Sequence, residues 1–320
     1  MVGCWGLDAL RREAKDTAGT AIFCALADAV FKVFSLFSDS FEARAVVVAA
    51  GAAGALPARR SALDDARWRR VERALRALRD PRGRPGADDR RFLHAVLWML
   101  KTGAPWRDLP PSLGGWRAVH ARFLRWARKG LWQKLARELE PIEAVDLACL
   151  DSMSAKAAPC AAGARKNRQG HARSQQRQAL GRSAGGLTAK IHAAVLENGR
   201  LLAVAATPGA KGDAPLAPWL LRESALFRPR AVCADRAYDS NALREKISAL
   251  GAVPVIPSKK NRRVPVAHDP AIYRRRNVVE RYFRRLKNQR KLALRTDKAK
   301  AAFLAWVWVA EAVDILKTKH

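Results

Sequence analysis

The chain has 320 residues, enough for two domains and a sizeable core, and its apolar fraction of 49% is typical of a globular protein. The 60 Lys and Arg residues against 29 Asp and Glu leave a net charge of +31, which favours a polyanion such as nucleic acid as partner, although charge alone also fits a ribosomal or membrane-surface role. Five scattered cysteines without a C-x-x-C pair exclude a disulfide framework and a zinc ribbon and indicate a reducing compartment.

Residues 1–58 carry the weakest pattern. The apolar run TAIFCALADAVFKVFSLF contains Asp28 and Lys32, which makes it a poor membrane span. The run AVVVAAGAAGALPA lies too far into the chain, and behind mixed charges, to be a signal peptide. We therefore expect a weakly ordered extension with no assigned function and no membrane association.

Residues 59–142 have helical periodicity, with Asp64 and Asp65 as candidate caps. The three apolar stripes are Trp68, Val71, Leu75 and Leu78, then Leu93, Val96, Leu97 and Leu100, then Trp116, Val119, Phe123 and Trp126. The third helix also carries Arg117, Arg122 and Arg125. Three short helices with a basic last member fit a helix-turn-helix-like DNA-binding domain, and they fit a plain bundle with solvated arginines equally well. The Trp residues on the stripes are expected in the core.

Residues 143–320 have a mixed α/β pattern. Short apolar runs end at Asp151 and Asp235, and Asn198-Gly199 between two apolar runs predicts a hairpin. Downstream, ALREKISALG is typical of a helix, AVPVIP of a strand, residues 273–291 of one helix and residues 300–317 of a closing helix. Three antiparallel strands followed by strand, helix, strand and helix is the order of a ribonuclease-H-like core. The polar, basic residues 164–186 are predicted to form a mobile loop.

The helix over residues 273–291 is strongly basic and contains a single acid, Glu280. At about 100° per residue, Tyr273, Arg276 and Lys287 share the narrow face of Glu280. The neighbouring apolar stripe of Val279, Phe283 and Leu286 would dock this helix on the sheet. Taken alone, Glu280 is best explained as a partner in a surface ion pair with an arginine four residues away.

Asp151 and Asp235 change that interpretation. In a ribonuclease-H-like core the strand ends that carry them meet the last helix, so three carboxylates would converge with Glu280. Carboxylates that repel one another need cations, and hard divalent metals prefer oxygen ligands. Two such ions roughly 4 Å apart stabilise the entering and leaving oxygens of a phosphoryl displacement. The sequence therefore predicts a metal-dependent site for DNA cleavage, surrounded by basic residues that hold phosphates.

Residues 61–318 resemble a DDE transposase of the insertion-sequence four and five superfamily, closest to the insertion-sequence five family. The spacing Tyr273-x2-Arg276-x3-Glu280-x6-Lys287 matches the family's Y-R-E-K motif. LDSMSAK resembles its first-aspartate motif, ADRAYDS its second, and RRFLHAVLWMLKTGAPWRDLP and GRSAGGLTAKIHA resemble further family blocks. Met153 stands where the family commonly has Thr, and residues 1–58 match nothing in the family pattern.

The resemblance implies a ribonuclease-H-like catalytic core and cleavage and strand transfer with Mg²⁺, for which Mn²⁺ can substitute. By matching positions, Asp151, Asp235 and Glu280 are the catalytic residues and metal ligands. Tyr273, Arg276 and Lys287 would contact DNA near the cut. The expected partners are double-stranded DNA, as terminal inverted repeats and as target, and a second copy in a homodimer. The expected location is the bacterial cytoplasm, at the nucleoid.

Two other functions remain open at this stage. A catalytically inactive DNA-binding protein derived from a transposase would keep the basic surface without cutting. A tyrosine recombinase would use Tyr238, Tyr273 or Tyr282 as a nucleophile, but the arginine and histidine pattern of such enzymes is not evident in the sequence.

Overall fold

The computed structural model describes residues 63–78, 88–142, 145–162, 177–183 and 185–317, all within one compact unit. The extension at residues 1–58 and most of the predicted basic loop lie outside these residues.

The first described segment is helical. Its helices are α1 (Asp65–Ala77), α2 (Asp89–Thr102), α3 (Trp116–Arg128) and α4 (Leu131–Leu139). Asp64 caps α1 as predicted, because its carboxylate accepts the Arg67 N–H at 2.8 Å. Gly103, at φ 64°, ends α2. Gly130, at φ 66°, separates α3 from α4, a helix that the sequence pattern did not resolve. The helix-turn-helix arrangement itself stays a prediction.

The second segment contains a mixed sheet. Its described strands are β1 (Leu147–Ala157), β2 (Gly181–Ser183), β3 (Gly186–Leu196), β4 (Leu201–Pro208), β5 (Ala231–Ala234), β6 (Val253–Val255) and β7 (Leu294–Arg295). β3 pairs antiparallel with β1, β2 and β4, whereas β5 and β6 continue the sheet parallel to β1. The hairpin between β3 and β4 turns at Gly199, at φ 84°, as the Asn-Gly signal predicted.

Helices cover this sheet. They are α5 (Ala217–Ala225), α6 (Asn241–Ala249), α7 (Pro270–Arg274), α8 (Asn277–Lys287), α9 (Arg290–Ala293) and α10 (Lys300–Lys317). The prediction of one continuous helix over residues 273–291 was wrong. The N–H groups of Arg275 and Arg276 donate to the carbonyls of Ile272 and Tyr273, three residues back, so a tight turn divides α7 from α8.

The helical segment and the sheet share one apolar core. Helix α10 is the common element, and its Trp306 is fully buried. The rings of Trp306 and Phe123, from α3, are stacked with centroids 4.2 Å apart, and Trp106 lies 5.8 Å from Trp306. The Trp residues on the predicted stripes, Trp68, Trp116 and Trp126, are half-buried and pack against this core. The fully enclosed Trp132, which is 2% exposed, comes instead from α4. None of the described helices is long and apolar enough to cross a membrane.

Candidate active site

The pairing register of β1 and β5 brings the first two predicted acids together. The parallel pairs run from Leu147 with Ala231 to Leu150 with Ala234. The next residues along the two strands are Asp151 and Asp235. Residues in register on neighbouring parallel strands point to the same face, so these two side chains leave the sheet side by side. The strand β1 continues past Asp151 to Ala157, whereas β5 ends at Ala234.

Helix α8 carries Glu280 over this face of the sheet. Its predicted apolar stripe is buried, together with Val278 and Tyr282. Two contacts of Arg285 fix the helix against the rest of the fold. Its guanidinium donates to the Gly199 carbonyl of the hairpin at 2.9 Å and pairs with Asp314 of α10 at 3.2 Å. The helix is therefore held at both the sheet and α10, and Glu280 is left 55% exposed.

The guanidinium of Arg276 joins two of the three acids. One terminal nitrogen lies 2.8 Å from Asp151 Oδ2 and the other lies 2.6 Å from Glu280 Oε1. The side chains of Arg276 and Asp151 are only 14% and 16% exposed. The ion pair with Glu280 that the sequence made plausible is present, and the same arginine also reaches a residue 125 positions away.

Burial and the neighbouring charges both act on the pKa values of Asp151 and Arg276. Burial raises the pKa of Asp151, Arg276 opposes that rise only in part, and Asp235 and Glu280 add to it. Burial would lower the pKa of Arg276, but Asp151 and Glu280 outweigh burial and the pKa is raised. The two partners differ because Arg276 has two carboxylates and Asp151 has one guanidinium. A further cation at this place would relieve the repulsion among the acids.

A second polar group lies on the opposite face of β1. The Ser152 N–H donates to Asp151 Oδ1 at 2.7 Å, and its hydroxyl donates to Asp213 at 2.8 Å. Lys190 pairs with Asp213 at 2.9 Å, and buried His192 lies 3.8 Å from the same carboxylate. Sequence reasoning missed this group, because no local pattern connects Ser152 with residues 61 positions away. The group holds the backbone that orients Asp151.

The three tyrosines are not equivalent. Tyr238 is 1% exposed and Tyr282 is fully buried, so neither can reach a DNA phosphate. Tyr273 is half-buried; burial raises its pKa, Arg276 opposes this rise, and Asp235 contributes to it. With two of three candidate nucleophiles inaccessible, the tyrosine recombinase hypothesis loses its main support.

The remaining predicted DNA contacts fall into two classes. Lys287, Arg117 and Arg125 are exposed, and no ion pair within the described residues involves them. Arg122 is instead 14% exposed, pairs with Asp89 of α2 and lies 4.2 Å from the centroid of Phe92. The structure thus separates Arg122, which ties α3 to α2, from the two arginines that face solvent.

The carboxylates of Asp151, Asp235 and Glu280 are hard oxygen donors, the type of ligand that Mg²⁺ and Mn²⁺ prefer. Within the described residues, no three His, Cys, Asp or Glu side chains already enclose a metal site. Between Asp151 and Glu280 lies the guanidinium of Arg276. The donor set therefore suits a divalent cation, which would compete with Arg276 for the oxygens that it now contacts on Asp151 and Glu280.

Two family models match the chain. A transposase family named IS4/5 matches residues 63–136, and a transposase DDE domain matches residues 146–313. A protein named as the transposase for insertion sequence element IS6501 from Brucella ovis is 37% identical over 135 residues, which is 41% of this chain and 100% of that protein. An uncharacterized protein, y4sN of Sinorhizobium fredii, is 34% identical over 108 residues, which is 34% of this chain and 86% of that protein.

Among solved structures, the cryo-EM structure of a piggyBac transposase synaptic complex with hairpin DNA is 13% identical, with a TM-score of 0.34. The match covers 61% of this chain and 48% of that one, a likeness too weak to define this fold.

Proposed function

This chain belongs to the IS4/5 family of transposases and carries a transposase DDE domain, and from that premise we propose that it cuts and joins the DNA of an insertion sequence. It would bind the terminal inverted repeats, cleave a strand at each end and transfer that end to target DNA. The observation that carries this proposal is the meeting of Asp151, Asp235 and Glu280 at one place in a protein of net charge +31.

The fold supports this proposal. Three antiparallel strands lead into two parallel strands with a helix between them, and α8 crosses the face that carries Asp151 and Asp235. We assign this arrangement to the ribonuclease-H-like class. In that class the acids of two central strands and a late helix lie together, and the register of β1 with β5 and the contacts of Arg276 support the same arrangement here.

Asp151, Asp235 and Glu280 would hold Mg²⁺, with Mn²⁺ as a substitute. Bound divalent ions would supply Lewis-acid stabilisation of the entering and leaving oxygens at the phosphorus. Asp235 is available as a ligand because, within the described residues, its carboxylate accepts one hydrogen bond, from the Ala237 N–H at 2.9 Å, which fixes it at the start of a short turn. Asp151 is oriented by Ser152.

The basic side chains around the acids would hold the strand that is cut. Arg276 would exchange a carboxylate for a phosphate oxygen when the site fills, because its two terminal nitrogens suit either anion. Tyr273 lies against His268, with ring centroids 5.3 Å apart, and is positioned to contact the sugar-phosphate backbone. Lys287 lies two turns along α8 from Glu280 and would bind the next phosphates.

The helical segment would recognise the repeat ends. Arg117 and Arg125 are exposed on α3 and are the candidates for contacts with base edges or nearby phosphates. Arg122 is better assigned to holding α3 on α2. The protein would act as a homodimer on double-stranded DNA in the bacterial cytoplasm.

The decisive experiment is cleavage of a duplex that contains a repeat end, with Mg²⁺, Mn²⁺ or a chelator. Wild-type protein is expected to cut only with metal. Asp235→Asn should bind DNA with unchanged affinity and not cut, because it keeps the shape of the side chain and removes the charge that metal requires. If Asp235→Asn cuts at the wild-type rate, the site is wrongly assigned. If wild-type protein binds but never cuts, the chain is the inactive DNA-binding protein.

A further inference from the structure

The loop at residues 258–266, which follows β6, is strongly basic. Its sequence SKKNRRVPV holds Lys259, Lys260, Arg262 and Arg263 and no acid. The loop is closed at its base, because the Ser258 hydroxyl donates to the Val266 carbonyl at 3.1 Å and accepts the Val266 N–H at 2.8 Å. A closed loop of this kind presents its side chains from a fixed frame.

A buried carboxylate anchors the loop from below. Asp239 accepts the Lys259 N–H on Oδ2 at 2.9 Å and the Arg262 guanidinium on Oδ1 at 2.9 Å. Arg244 of α6 donates to the same Oδ1 at 3.0 Å. Burial would raise the pKa of Asp239, but these donors outweigh burial and lower it, so the carboxylate stays ionised. The side chain of Asp239 is 1% exposed, and charge-assisted bonds at such a position hold the loop firmly.

The anchor divides the cations of the loop into two roles. Arg262 points inward and shares the single negative charge of Asp239 with Arg244. Lys259, Lys260 and Arg263 are exposed, and no ion pair in the described part of the chain involves them. A segment that keeps three unmatched cations together on a rigid frame carries a self-repulsion that an anionic partner would remove.

The loop lies at the edge of the sheet that carries the acids. β5 and β6 are parallel, so both end at the same edge, where Asp235 follows β5 and the loop follows β6. Asp239 is four residues after Asp235, so the two Cα atoms are at most about 15 Å apart. One strand of DNA has a phosphate about every 3.4 Å along its axis, so that distance spans roughly four phosphates.

We propose that the 258–266 loop is a phosphate clamp that holds duplex DNA beside Asp235, with Lys259, Lys260 and Arg263 as the contacts and Asp239 as the anchor. The clamp rests on the proposed function, since it needs DNA to cross the acids. It reads no bases and takes the sugar-phosphate backbone of any duplex next to the scissile position.

The test compares two triple variants of the full chain that remove the same charge. One is Lys259→Ala with Lys260→Ala and Arg263→Ala. The control is Arg222→Ala with Arg228→Ala and Lys246→Ala, exposed residues that precede β5 and β6 and so lie at the opposite edge of the sheet. Duplex binding is titrated by fluorescence anisotropy in chelator, across a series of salt concentrations, with random-sequence DNA as the probe.

Each lost phosphate contact lowers the slope of log Kd against log salt by about 0.9, so the loop variant should lose about 2.7. From 50 to 200 mM salt, the wild-type Kd should then rise about 40-fold more than the Kd of the loop variant. The control variant should keep the wild-type slope. Equal slopes for the two triple variants would overturn the clamp while leaving the proposed function intact. Wild-type protein that binds no duplex would instead overturn the proposed function.

Arg262→Gln tests the anchor separately. Because the Arg262 side chain is held inward on Asp239, losing it should leave the salt slope unchanged and weaken binding several-fold through a less ordered loop. A slope lowered by about one would show that Arg262 grips a phosphate itself and that Asp239 is no anchor.

Discussion

Replacing Arg276 by Ala removes the guanidinium that joins Asp151 and Glu280. Two unit charges about 4 Å apart interact by roughly 4 kcal/mol at an effective dielectric constant of 20. The ion pair between Arg276 and Asp151 approaches about 4 kcal/mol by this estimate, because both side chains are at most 16% exposed. The Glu280 pair, with that acid 55% exposed, adds about 0.2–1 kcal/mol. The substitution also removes the cost of burying the Arg276 charge, which offsets part of this sum, so we expect a net loss of about 3 kcal/mol in metal-free protein.

The assay is thermal unfolding in chelator and in saturating Mg²⁺. A loss of 3 kcal/mol should lower the Tm of metal-free Arg276→Ala by about 6–12 °C. Mg²⁺ should raise the Tm of this variant more than that of wild-type protein, because the metal no longer competes with the guanidinium for the two carboxylates. The matched control is Arg281→Ala, which removes an exposed arginine of the same helix that forms no ion pair within the described residues.

The outcome that refutes this reasoning is metal-free Arg276→Ala as stable as Arg281→Ala, which would mean that the guanidinium contributes nothing to the acid site. An equal Mg²⁺-induced rise in Tm for wild type and both variants would show that Arg276 and the metal do not share carboxylates.

Three further predictions concern other parts of the molecule. Burial lowers the pKa of His192 from 6.5 to about 4, so the contribution of this residue to the free energy of unfolding is complete above pH 6.5 and is lost as pH falls toward 4. In urea titrations, the free energy of unfolding of wild-type protein should therefore fall over this range by up to about 3 kcal/mol more than that of His192→Gln. An equal fall in the two proteins would contradict this prediction. Trp306→Ala should cost about 3–5 kcal/mol and leave a single calorimetric transition, since its ring joins α3 to α10; two transitions would show that the segments unfold separately. Lys287→Ala should slow single-turnover cleavage without changing the preference for repeat over random DNA, whereas Arg125→Ala should reduce that preference by about 1–3 kcal/mol if it contacts a base; the reverse pattern would exchange the roles of the two segments.

Much of the secondary structure could be predicted because its signals are local. These signals depend on residues only a few positions apart in the chain. They are the helical stripes, the cap at Asp64, the helix end at Gly103 and the Asn-Gly hairpin. The break before α8 could not be read in this way. Arg275 and Arg276 are compatible with a helix, and the tight turn there places the Arg276 side chain where it meets both Asp151 and Glu280.

The sequence by itself determined which residue types meet at the acid site, since Asp151, Asp235 and Glu280 are single acids at the ends of apolar runs or within a basic helix. Only the tertiary structure decided what each cation does. Arg276 bridges two acids, Arg122 pairs with Asp89 across 33 positions, and Arg262 is held by Asp239 across 23. The physical reason is that periodicity reports which face of an element a side chain occupies, whereas the partner of a charge is set by whichever element packs against that face.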